Sequence, residues 1–257
     1  PGEIGERPGA RSQSGELGGA RRRGLDQLGP GQRDPEQIGL ALHLYHDTFL
    51  RFPAGWQGYD LTTGREHWLG DPGWGWCAAI LPYMEQRNVY DGMIRFELPI
   101  HNPVNQAARE KALGVFRCPS DIGDAVFELY EDGHHDHGGG QHGGAVFPMM
   151  MATANYVGVF GTWDMHVVCH DSSCRGDGTF FLNHGVRLAD IKDGLSQTVV
   201  VGERTSKLSY STWVGAVSGS EEGPARVVGT GIFPPNSEDD YEQYVHNFSS
   251  LHPSGTH

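Results

Sequence analysis

Long apolar runs are missing from this chain. No stretch of about eighteen consecutive apolar residues occurs in its 257 residues, and no signal-peptide core precedes a small-residue cleavage site, so nothing in it reads as a bilayer-spanning helix. Positive charge is scarce: 19 Lys and Arg stand against 32 Asp and Glu, a formal net charge of −13, which excludes nucleic acid as a partner. Several catalytic signatures are also absent. There is no G-x-S-x-G elbow, H-E-x-x-H or P-loop, and Ser206-Lys207 lacks the Ser-x-x-Lys spacing. The acidic pairs Glu131/Asp132, Glu221/Glu222 and Asp239/Asp240 lie in polar segments with no apolar surroundings to tune them for acid-base work. The expectation is a protein that is not an enzyme.

Hydrophobic residues make up only 37% of the chain, while 38 Gly and 15 Pro supply turns throughout, which predicts a loop-rich domain. Residues 1–34 are rich in Gly and Arg, with few large apolar side chains, and are expected to be a disordered tail because they cannot offset their ordering entropy. At Asp34-Pro35-Glu36 the pattern changes to that of a helix start: a capping Asp, a Pro suited to the first helical position and an acidic first turn. Ile38, Leu42, Tyr45 and Phe49 then recur at helical spacing, with Ala41 on the same side, and Pro53 follows. A helix ending near Phe49 is expected, its apolar stripe packed on a sheet.

Further on, Trp74 and Trp76 read as core anchors, Pro82 to Gln86 as a second helix start, and the stretch from residue 105 to the Gly114 break as a short helix. Val115 to Cys118 reads as a strand stopped by Pro119. The Gly- and His-rich segment within 121–148 is long enough to be a loop insertion. From Asn155 onward, short β-branched or aromatic runs separated by Gly, Asp and Asn indicate antiparallel strands, with Asp193-Gly194 as a hairpin turn. Helix first and strands later predicts an α+β domain over 35–257, an N-terminal amphipathic helix packed on an antiparallel β-sheet with long loop insertions.

Several side chains have ligand chemistry. His134, His135, Asp136, His137 and His142 could hold Zn2+, Ni2+ or Cu2+ through imidazole and carboxylate, or be a solvated loop. Cys169 and Cys174 enclose four residues, a spacing suited to a small disulfide loop or to half a metal site joined by His166 and His170. Asp190 and Asp193 are oxygen donors of the kind Ca2+ takes, although Asp193-Gly194 also serves as a plain turn. Asn155, Tyr156, Trp163 and Trp213 could line a sugar-binding groove or belong to the core.

In this order, the phrases "QIGLALHLYHDTFLRFPAGW", "GWGWCAAILPYMEQRNVYDG", "VFRCPSD", "NYVGVFG", "GVRLADIKDGLSQTVVVGERT" and the late "HPSG" closely resemble the DUF1559 family of planctomycete-type bacteria, pilin-like proteins also filed under a solute-binding label. The resemblance covers about residues 36–257. It implies a pilin-like or pseudopilin-like head displayed or assembled at the cell envelope or outside the cell, with other pilin-like or secretion-system subunits as partners. It also implies contact with the membrane only through an apolar helix that this chain does not contain. Arg21-Arg22-Arg23-Gly24 mimics the basic end of such a leader, but Asp26-Gln27 follows in place of an apolar run. We therefore expect residues 1–35 to be foreign to the domain, an out-of-frame join at Pro35 or Glu36, rather than the tail of a divergent member. The end at "HPSGTH" is expected to be a truncation, since the family pattern continues from its His to an Asp-Gly that is absent here. The alternative function is an extracytoplasmic module that binds a small solute or glycan.

Overall fold

The computed structural model describes residues 30–130, 145–171, 173–237 and 246–252. Its architecture is α+β, with one long helix, several short ones and small sheets of two or three strands. Helix α1, Pro30–Phe49, begins earlier than expected, so residues 30–34 of the expected tail are helical and Asp34 is not a cap. Pro35 lies inside the helix, beyond its first four residues, so the N–H it lacks leaves one bond of the ladder unmade.

The buried side of α1 is Ile38, Ala41 and Leu42, with Tyr45 half-buried. Full burial of Ile38 and Leu42 contributes about 2 kcal/mol each. The stripe packs mainly against helix α2 (Trp76–Ile80), the 3-10 turn Leu81–Tyr83 and the 3-10 turn Gly114–Phe116, rather than on the face of a sheet. Phe49, expected in this packing, is 52% exposed, its ring centroid 4.5 Å from that of its neighbour Tyr45. The stripe therefore ends one turn short. The 3-10 turn after Leu113 replaces the strand expected at Val115 to Cys118.

Strands β1 (Trp56–Tyr59) and β2 (Asp71–Gly75) pair antiparallel. After α2 come short helices α3 (Arg87–Gly92) and α4 (Gln106–Arg109). Strands β3 (Val126–Leu129) and β4 (Met149–Ala154) pair antiparallel, and β4 also pairs with β9 (Ser211–Thr212). Strand β5 (Tyr156–Gly161) lies between β8 (Val201–Glu203), antiparallel, and β10 (Val228–Thr230), parallel. Helix α5 is Met165–Asp171, and β6 (Phe180–Phe181) turns back on β7 (His184–Gly185). The expected single antiparallel sheet is thus divided, and one of its pairings is parallel. Asp193-Gly194 turns the chain without joining two paired strands.

The divisions are held by tryptophans. Trp56, Trp74, Trp76 and Trp213 are buried, and each indole N–H donates to a backbone carbonyl: of Trp68 at 2.9 Å, Leu98 at 3.1 Å, Val227 at 2.9 Å and Lys111 at 2.9 Å. Each ring fills core volume while its polar edge donates to a backbone carbonyl, so the buried N–H is satisfied. Gly73, at φ 88°, lets β2 approach segment 214–216 so closely that a Cβ there would lie 2.1 Å from the carbonyl oxygen of Ala216.

Candidate functional site

Three stretches remote in sequence meet beside β5 and β8: residues 116–121, 203–206 and 247–252. Asn155, fully buried between β4 and β5, sets the first against the second. Its Oδ1 accepts from the Cys118 N–H at 2.9 Å, its Nδ2 donates to the Arg204 carbonyl at 3.1 Å, and its backbone N–H donates to Phe116 at 2.8 Å. Asp121 adds a second tie, accepting from Thr205 Oγ1 at 2.8 Å and from the Ser206 N–H at 2.9 Å, with a further bond from Ser206 Oγ. Burial pushes the Asp121 carboxyl upward, but the hydrogen bonds from Ser206, Thr205 and Asn155 outweigh it and hold the group below its ordinary value. The third stretch docks on β8 as an added edge: Ser249 N–H donates to Glu203 at 2.9 Å and Thr205 N–H to Ser249 at 3.1 Å.

At this junction Cys118, Glu203 and His252 place a thiol, a carboxylate and an imidazole within 4.8 Å of one another. Cys118 Sγ lies 3.1 Å from His252 Nε2, and Glu203 Oε1 lies 3.7 Å from the same nitrogen. Ser250 braces both partners, its hydroxyl donating to Glu203 Oε2 at 2.7 Å and accepting from the His252 N–H at 3.1 Å. Cys118 and Glu203 are buried, while the His252 side chain, 18% exposed, faces the solvent edge.

Burial, together with hydrogen bonding to the Glu203 carboxylate, pushes the Cys118 thiol up to about 11, so it stays protonated at neutral pH. Thiol and carboxylate also converge on one nitrogen, Nε2, whereas an orienting carboxylate in a nucleophile-base-acid relay holds the other ring nitrogen. The three donor atoms lie together at the junction. Among the described residues, these three are the one group of three His, Cys, Asp or Glu so arranged.

The residues singled out in the sequence fall elsewhere. His134, His135, Asp136, His137 and His142 lie outside the described residues. Cys169 and Cys174 form a disulfide at the end of α5, so their sulfurs are not thiolate ligands. His166 and His170 face Trp68, at ring-centroid distances of 5.5 and 5.2 Å. Asp190 is engaged by the Arg187 guanidinium through two bonds of 2.7 and 2.8 Å, which lower its carboxyl to about 2, and Asp193 is exposed. Asn155, Tyr156 and Trp213 are buried in the core while Trp163 is 53% exposed, so the four do not line one groove. A polar cleft of about 370 Å³ is lined by Arg51, His184, Gly185, Arg187 and Asp190.

Sequence reasoning missed Cys118, Glu203 and His252 as a group because 134 residues separate the first from the last. The available signal was indirect: "VFRCPSD", "VVVGERT" and "HPSG", the phrases that carry them, all belong to the family resemblance.

The class defined by this geometry is a small-sheet α+β domain with one long N-terminal helix and a buried polar junction. The chain belongs to the DUF1559 family, SBP_bac_10, described as a protein of unknown function, which matches residues 33–257. No curated protein and no solved structure matches it.

Proposed function

We propose that this protein is a non-enzymatic pilin-like or pseudopilin-like head that acts in assembly or display at the cell envelope or outside the cell. The observation that carries this reading over a binding module is the fate of the aromatic side chains. Trp56, Trp68, Trp74, Trp76 and Trp213 are spent in the core, so they are not available to stack on a sugar or line an apolar ligand pocket. Exposed apolar side chains occur instead where α1 ends, at Leu44, Phe49 and Leu50. A subunit that packs beside its neighbours through its helix would cover such a patch. The Cys169–Cys174 disulfide fits an oxidising compartment outside the cytoplasm. No helix among the described residues is long and apolar enough to cross a membrane.

The solute-binding alternative rests on the polar cleft, where Arg51 and His184 could meet an anionic solute beside the Arg187–Asp190 pair. One experiment separates the two. Cysteine introduced at Phe49 or Leu44 is crosslinked in the native host and the adducts are identified by mass spectrometry. Adducts with a second copy or with another envelope subunit support the assembly reading. Monomeric protein throughout, together with saturable thermal stabilisation by a small anion that Arg51→Ala abolishes, would replace it with the binding module.

A further inference from the structure

We propose that Cys118, Glu203 and His252 form a metal site suited to Zn2+, which cross-links the segment after the Gly114–Phe116 turn, the end of β8 and segment 246–252. The inference stands apart from the assembly reading and would hold for either function.

Distance is the first argument. Two ligand atoms on a tetrahedral zinc with Zn–S about 2.3 Å and Zn–N about 2.0 Å stand about 3.5 Å apart. The observed 3.1 Å from Cys118 Sγ to His252 Nε2 is a little short of this value, and the 3.7 Å from that nitrogen to Glu203 Oε1 is a little above the roughly 3.3 Å of an N–O pair on the same ion. Shifts of a few tenths of an ångström would seat the ion, well within rotamer freedom.

Support around the ligands is the second. A working metal site fixes its ligands through outer hydrogen bonds. Here Asn155 holds the Cys118 backbone, Ser250 holds the second oxygen of Glu203, and the same Ser250 hydroxyl holds the His252 backbone. The Tyr156–Glu203 register between β5 and β8 fixes the Glu203 backbone. These bonds hold the backbones of Cys118 and His252 and the far oxygen of Glu203, while Sγ and Nε2 bond each other at 3.1 Å.

Chemistry is the third. A sulfur donor beside an imidazole and a carboxylate disfavours Ca2+ and Mg2+, which take oxygen ligands, and suits Zn2+. The buried Glu203 carboxylate gains a cation in an interior where unbalanced charge is costly. On binding, the Cys118 thiol proton passes to solvent and a zinc-thiolate bond forms. The ion's two positive charges are then balanced by one thiolate and one carboxylate, with His252 neutral.

The test uses the whole chain with its disulfide intact. The protein is dialysed against a chelator and then titrated with Co2+, whose thiolate complexes absorb strongly in the near ultraviolet, and afterwards with Zn2+. One Co2+ per chain giving that absorption, and its displacement by Zn2+, is the expected result. Cys118→Ser should abolish the absorption and His252→Gln should weaken Co2+ binding by about 100-fold or more. The absorption should survive in Cys77→Ser, and in a variant with His134, His135, His137 and His142 all changed to Ala. Should Cys118→Ser fail to fold by circular dichroism, His252→Gln at the solvent edge decides by the same reading. Folded wild-type protein that gives no thiolate absorption, absorption that persists in folded Cys118→Ser, or full-strength binding by His252→Gln would overturn the proposal.

Discussion

Arg204 Nε donates to the backbone carbonyl of Asn247 at 2.7 Å, joining positions 43 residues apart. The same guanidinium reaches Ser211 Oγ and the Val228 carbonyl, each at 3.3 Å, and the Ala225 carbonyl through a further bond. A fully buried cation is held here by carbonyl dipoles, and burial, with Arg226 nearby, lowers its pKa to about 9. It clasps β8, β9, the turn before β10 and the segment that carries His252.

Replacing Arg204 with Met keeps much of the volume but leaves those carbonyls without a donor. A loss of about 3 kcal/mol in urea unfolding is expected. Arg204→Lys should recover only part of it, because one ammonium cannot span acceptors spread over a planar fork. A loss below about 1 kcal/mol for Met would mean that the clasp is dispensable.

The Cys169–Cys174 bridge closes a loop over a sequence separation of five. Loop-closure entropy for so short a ring contributes about 2 kcal/mol. Reduction, or a Cys169→Ser/Cys174→Ser pair, should lower the melting temperature by a few degrees without unfolding the domain. The rings of His166 and His170 against Trp68 should then loosen, which hydrogen exchange across α5 would report.

Stability should fall in acid. Burial, with His166, Arg204 and Arg226 nearby, holds the His246 pKa down to about 3, and burial also lowers that of His101. The unfolded chain takes protons on both residues as pH drops through about 6.5, while the folded chain refuses them until lower pH. Their stabilising effect is therefore complete above about pH 6.5 and lost on acidification, down to about pH 3 for His246. Asp121, also lowered, adds a loss in the same direction below the ordinary carboxylate range. Melting temperature against pH should slope down from about pH 6.5, and His246→Asn should flatten that slope. An unchanged slope in this variant would remove His246 from the account.

Gly73→Ala is expected to cost more than about 2 kcal/mol, since it adds a Cβ against the Ala216 carbonyl at a backbone angle that L-residues rarely adopt. Gly114→Ala meets nothing within 4 Å and should be close to neutral. Equal effects at the two sites would mean that chain stiffening, not the approach of β2 to segment 214–216, controls the result.

Local periodicity made part of this fold legible. Ile38, Ala41 and Leu42 lie on one side of α1 because helical spacing dictates it, and the tryptophans read as anchors because nothing else in a Gly-rich chain can fill so much volume. Phe49 followed the same spacing and yet lies outside, since periodicity gives the direction of a side chain but not where the opposing surface ends. The strands from Asn155 onward were visible as runs, but their partners were not. The parallel pairing of β10 with β5 depends on how the chain returns after Ala225, and no local signal encodes that return.

By itself, the amino-acid sequence determined the α+β class, the long N-terminal helix and a short-loop disulfide as one option for Cys169 and Cys174, because each follows from spacing or composition, and it carried the family through the order of its phrases along the chain. Only tertiary structure decided that Cys118, Glu203 and His252 meet and that Arg204 is buried among carbonyls. Contacts across so many residues are set by the summed packing of every element between them, and no pattern at either end records that sum.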